Sequence, residues 1–218
     1  MCVALLNNVV SIGSSSPRRR GSRRWLALGS RLRGNDGVGL WQRLPWLLPL
    51  LYVALSQPAL AEDPPPLTHA LTPISKPYAA PALKLPDLDG QVHDLAELRG
   101  KVVLINFWAT WCPPCRREMP SLERLRQRLA DRGLAVVAVD VGEDADTVFS
   151  FTGQLEPAPA FPLLLDRDSR AMQAWKVKGL PTTFVVDAQG RVVFRAVGGR
   201  EFDHEAIVRQ LESRLSGK

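Results

Sequence analysis

Val102-Val103-Leu104-Ile105-Asn106-Phe107-Trp108, then Ala109-Thr110, then Trp111-Cys112-Pro113-Pro114-Cys115 is the stretch on which the reading of this chain turns. The first seven residues form a nearly continuous apolar run, the pattern of a strand buried on both faces. After the cysteines, Pro113 to Asp131 places Met119, Leu122, Leu125 and Leu129 three or four residues apart. That spacing predicts a helix with one buried face. Two of the chain's three cysteines sit at the junction, separated by two prolines. Strand, Cys-x-x-Cys, helix is the layout of a thiol–disulfide redox site. A sulfur at a helix N-terminus faces unsatisfied backbone N–H groups and the positive end of the helix dipole. Both favour the thiolate, which is the nucleophile.

Outward from this junction the pattern alternates. Leu83-Lys84-Leu85 and Gln91-Val92-His93 flank Asp87-Leu88-Asp89-Gly90, which predicts an N-terminal β-hairpin. Leu95 to Leu98 reads as a short helical turn ended by Gly100. Leu134 to Val141 is a second buried strand. Asp144 to Leu155 is helical, broken by Glu156-Pro157-Ala158-Pro159. Leu163 to Leu165 is a short strand, and Ser169 is placed to cap a helix that runs to Trp175. Thr182–Val186 and Arg191–Val197 form a hairpin around Asp187-Ala188-Gln189-Gly190, and Asp203 to Leu215 is a last helix. The order argues for an α/β fold, a mixed sheet flanked by helices.

Charge divides the chain. Residues 1–61 carry 8 Arg and one Asp, a net of +7, whereas the remainder is −1, giving the overall +6. The body therefore offers no basic footprint for nucleic acid. Residues 43–61 read as a signal peptide. Arg43 supplies a positive charge, Leu44 to Leu55 is apolar but too short for an ordinary membrane span, and Ala59-Leu60-Ala61 is a cleavage site. An uncleaved membrane anchor is the alternative. Residues 1–42 are Arg-, Gly- and Ser-rich, longer than a signal needs, and read as a spurious extension ahead of the true start. Residues 62–81, rich in Pro and Ala, read as a linker. Residues 82–218 give 137 positions, enough for one domain with its own core.

Asn106 to Pro120 resembles the active-site signature of the thioredoxin superfamily, within it the TlpA/ResA/DsbE (CcmG)-like group of exported thiol–disulfide oxidoreductases. Gly179-Leu180-Pro181-Thr182-Thr183-Phe184, with Leu180 65 residues beyond Cys115, resembles that group's second signature. The resemblance spans Ala82 to the C-terminus and implies a thioredoxin-like fold. It implies that Cys112 is the exposed nucleophile and Cys115 the resolving thiol, the two forming a redox-active disulfide with no other cofactor. Pro181 is then a cis-proline. Trp111, Pro113, Pro114, Leu180, Pro181 and Thr182 face the partner chain, with Trp108 left to the core. Glu118, one turn after Cys115, tunes the cysteines and handles protons; otherwise it is a solvated helix charge. Cytoplasmic thioredoxins have a buried Asp where this chain has Asn106, so their proton route is absent.

Neither Pro113 nor Pro114 donates an N–H, so Cys112 relies on the Cys115 N–H and the dipole. This weakens thiolate stabilisation and points to a reductase of protein disulfides. The resemblance implies a periplasmic location, apocytochrome c among the substrates, a membrane thiol electron donor, and a monomer. A periplasmic oxidase or isomerase of the DsbA or DsbC kind is the alternative. Those proteins carry an insertion or dimerisation domain for which this chain has no room. A copper chaperone would want Cys-x-x-x-Cys and another soft ligand. A zinc site needs about four ligands, and the body has two cysteines and scattered His69, His93 and His204, so no metal is expected.

Overall fold

The computed structural model describes residues 65–215. The extension over residues 1–42 and the signal peptide over 43–61 lie outside the described residues. Six strands make one sheet in the order β1-β8-β7-β4-β5-β6: β1 Thr72–Ala79, β4 Val102–Trp108, β5 Leu134–Val141, β6 Leu163–Asp166, β7 Thr182–Val186 and β8 Arg191–Val197. The sheet is mixed, because β4, β5 and β6 run parallel while β7, β8 and β1 pair antiparallel. The expected hairpin forms from β2 Lys84–Pro86 and β3 Val92–Asp94. Among the described residues, four α-helices accompany the sheet: α1 Pro113–Leu129, α2 Ala145–Thr152, α3 Arg170–Ala174 and α4 Glu205–Leu215.

β4 explains the architecture. All seven of its residues are buried. Leu104 and Trp108 join one core with Met119, Leu122, Leu125 and Leu129 of α1 and Ile207 and Leu211 of α4. Val103, Ile105 and Phe107 join a second core with Val139, Trp175 and Phe184 on the opposite face. Alternation along a strand sends neighbours to opposite faces, so a strand apolar at nearly every position must be covered twice.

Two expectations are corrected. The linker over residues 62–81 is, over Thr72–Ala79, an edge strand paired with β8. Its prolines suggested a spacer, but an edge strand tolerates residues that cannot donate to a neighbour. Ser169 occupies the N-cap position of α3, but its side chain makes no capping bond: the residue lies in the left-handed region, and the Asp166 carboxylate accepts the Ala171 and Met172 N–H groups instead.

Candidate active site

Cys112 and Cys115 are joined by a disulfide at the mouth of α1. Cys112 is the N-cap residue and prolines fill the next two positions. The Cys112 N–H is held by Ala109 O at 3.2 Å, and its own carbonyl accepts the Arg116 N–H at 3.1 Å. A proline at the first helical turn loses only a donor that would have lacked a helical partner. The cost falls on Cys112, which has no N–H in front of it until Cys115.

The expectation of an exposed Cys112 is corrected. It is 3% exposed in the disulfide form and Cys115 is fully buried, so the order of access holds but the outer sulfur is recessed. Its neighbours form the rim: Trp111 is 66% exposed, Pro113 is exposed and Pro114 half-buried. Trp108 is wholly in the core. The Leu180–Pro181 bond is cis. Pro181 is buried, and its carbonyl accepts the Gly198 N–H at 2.9 Å. The Thr182 side chain turns inward and donates to Gly179 O at 2.7 Å, so it holds the loop and faces no partner.

Glu118 is not a solvated charge. It is fully buried, and burial pushes its carboxyl up to about 8, against the opposing pull of hydrogen bonds from Asn106 and from the Arg200 backbone. Asn106 Nδ2 donates to Oε1 at 2.8 Å and to Thr183 Oγ1 at 3.0 Å; Arg200 N donates to Oε2 at 2.9 Å. Asn106, itself unable to ionise, thus positions a group that can.

A pair of carboxyls, Asp140 and Glu143, escaped the sequence reading. Glu143 accepts the Thr110 N–H at 2.6 Å and the Thr110 hydroxyl at 2.5 Å, gripping the turn that leads into Cys112. Asp140, at the end of β5, is wholly buried; burial first, and then the neighbouring Glu143, push it up to about 8. The signal was present: an acid near the end of the apolar run Leu134 to Val141. Beyond Thr110, a shallow groove of about 520 Å³ is lined by Arg116, Thr147 and Phe151 among others. Among the described residues, no cluster of three or more His, Cys, Asp or Glu side chains is placed to hold a metal ion.

This geometry can exchange electrons with a disulfide and protons with a buried acid. The Redoxin family profile matches residues 76–211. The thiol-disulfide oxidoreductase ResA of Geobacillus kaustophilus is 39% identical over 142 residues, covering 65% of this chain and 79% of that protein. ResA of Bacillus subtilis is 38% identical over 120 residues, covering 55% and 66%. A Chlorobium tepidum crystal structure described as a DsbE-type thiol:disulfide interchange protein superposes with a TM-score of 0.60 at 34% identity, over 66% of this chain and 99% of that one. The dithiol at the helix mouth and these likenesses agree, and the chain belongs to the Redoxin family as a thiol–disulfide oxidoreductase of the ResA/DsbE type.

Proposed function

We propose that the protein is an extracytoplasmic reductase of protein disulfides. The observation that carries this reading is the Cys112–Cys115 disulfide at a proline-started helix mouth, with the carboxyl of Glu118 buried one turn behind it. In the reduced enzyme the Cys112 thiolate attacks one sulfur of the partner's disulfide, and the other leaves as a thiolate that takes up a proton. Cys115, deprotonated with Glu118 as base, attacks the Cys112 sulfur of the mixed disulfide. The partner leaves with both sulfurs reduced, and two electrons have passed to it. A base with a pKa close to working pH is suited to that proton transfer.

Direction follows from what Cys112 lacks. Two prolines withhold N–H donors, and recessing the sulfur disfavours its charged form. A less stabilised thiolate means a less stabilised dithiol and a more negative potential. Trp111, Pro113, Pro114 and the Leu180–Pro181 loop form the face offered to the partner. Apocytochrome c, whose haem motif is a Cys-x-x-Cys-His pair, fits as a substrate, and a membrane thiol donor would recharge the dithiol. The leader over residues 43–61 supports export to the periplasm.

Equilibration of the purified protein with a dithiothreitol couple tests the direction. The expected potential is nearer about −270 mV, as in thioredoxin, than about −120 mV, as in DsbA. A value above roughly −180 mV, the range of disulfide isomerase, would replace the reductase by an oxidase or isomerase. N-terminal sequencing of the exported protein should begin at Glu62; retention of Leu44 to Leu55 in the membrane fraction would make it an anchored enzyme instead.

A further inference from the structure

The segment Pro65–Ala70 lies against the same end of the molecule as the disulfide, and it bonds as a partner chain would. Thr68 donates its N–H to Gly199 O at 3.2 Å and accepts the Glu201 N–H at 3.1 Å, a parallel bridge across Arg200. Arg117, two residues after Cys115, donates to Pro65 O at 2.9 Å, and Arg200 Nε donates to Ala70 O at 2.8 Å. The half-buried Leu67 completes the contact. Its Cδ2 lies 2.6 Å from the point where a Cβ on Gly199 would stand, and Pro114 Cβ lies 3.2 Å from that same point. The notch exists because Gly199 has no side chain. It is continuous with the active-site rim: Pro114 lies between the two cysteines, and Gly198 bonds the carbonyl of Pro181.

We propose that this segment is an internal occupant of a subsite for the partner, an autoinhibitory strap that the substrate must displace. The partner it fits is an extended polypeptide segment. Such a segment would pair with the Gly198–Glu201 backbone as Thr68 does and set an apolar side chain against Gly199 and Pro114, the strand-addition mode of peptide recognition. The proposal rests on the reading that Pro114 and the Pro181 loop face the substrate. A tethered occupant lowers apparent affinity by the fraction of molecules in which the subsite stands open. The strap is suited to leave by swinging from Leu71, which stays anchored in the core: the half-buried Leu67, the His69 ring stacked on His204 and mostly exposed polar contacts hold the rest, the composition of a segment that opens locally. A small disulfide needs the sulfurs alone and is indifferent to it.

The test is Leu67→Ser in the full chain, assayed with dithiothreitol as reductant on insulin and on glutathione disulfide. The expected result is a KM for insulin lowered about three- to tenfold at unchanged kcat, with the glutathione disulfide rate unmoved. An unchanged KM overturns the proposal, and a raised one would make the strap part of the partner's site. A second measurement does not depend on turnover. In Cys115→Ser protein, a cysteine-bearing peptide is locked onto Cys112 and amide exchange is followed at Thr68 and Glu201. Exchange faster by about tenfold at Thr68, with Glu201 still protected by the peptide carbonyl that takes the place of Thr68, supports displacement; unaltered protection at Thr68 overturns it. If insulin stays intact with both proteins while glutathione disulfide is reduced, the protein-substrate reading fails and the exchange measurement alone decides the strap.

Discussion

Asn106 Nδ2 lies 2.8 Å from Glu118 Oε1, so the central strand and the redox helix share one buried carboxyl. Asn106 Oδ1 is buried without a partner. With a pKa of about 8, Glu118 is mostly protonated at neutral pH and has a proton to donate. Turning the amide over would bring Oδ1 to the position of Nδ2 and give that proton an acceptor. Protonation of Glu118 and orientation of Asn106 are thereby linked.

The raised carboxyls make stability depend on pH. Glu118 and Asp140 both rise to about 8, from 4.5 and 3.8. The folded state therefore binds protons that the unfolded state has released. Their contribution is full below about pH 4 and is lost as pH climbs through about 8, at up to about 1.4 kcal/mol per pH unit for each group. Urea unfolding from pH 5 to 9 should show the parent losing stability. Glu118→Gln should remove one share of that slope, and the double variant with Asp140→Asn both. Equal slopes in all three would show that neither group is the source.

Access should order the two thiols. In the reduced protein Cys112 should be alkylated well ahead of Cys115, because the inner sulfur is sealed beneath the first turn of α1. Peptide mapping after brief iodoacetamide treatment measures it. Faster labelling of Cys115 would reverse the assigned roles.

Glu143 should restrain the turn before Cys112. Glu143→Ala frees the Thr110 N–H and hydroxyl, costing about 1–3 kcal/mol. It should also quicken Cys112 alkylation, since Ala109 and Thr110 hold the residue that bears the sulfur. Lost stability without any change in labelling would limit Glu143 to a structural role.

The two tryptophans beside the site should separate cleanly. Trp108→Ala empties a fully buried position and should cost about 3–5 kcal/mol. Trp111→Ala should change stability by less than about 0.5 kcal/mol, yet raise the KM for protein disulfides. Denaturation curves and insulin reduction assay both effects, and a large stability loss at Trp111 would remove it from the rim.

The sequence made the local chemistry legible and the long-range company much less so. The apolar run at Val102–Trp108 and the spacing of Met119, Leu122 and Leu125 announced their elements, because burial on two faces or one leaves a periodic trace. The Cys112–Cys115 pair showed in its strand, Cys-x-x-Cys, helix layout, and the cis bond before Pro181 came from the motif resemblance. The burial of Glu118 did not show, because the residues that enclose it, Asn106 and Arg200, lie 12 positions before and 82 after it in the chain. β1 was hidden for a different reason: its residues are mostly exposed, so no hydrophobic alternation marks it as a strand.

That edge strand has a consequence of its own. β1 contributes Pro73 and Pro77, neither with an N–H to give, displays Lys76, and breaks register between Pro73 and Tyr78. The opposite edge, β6, is four residues long, and Asp87 bridges to Leu164 across it. Open sheet margins template aggregation, and prolines, charges, irregular pairing and brevity are the means of blunting them. On the proposed reading the protein's partners are disulfide-bearing polypeptides, which present extended backbone to it. Its own margins are built to give them nothing to zip onto, leaving the sulfur face as the place where they are held.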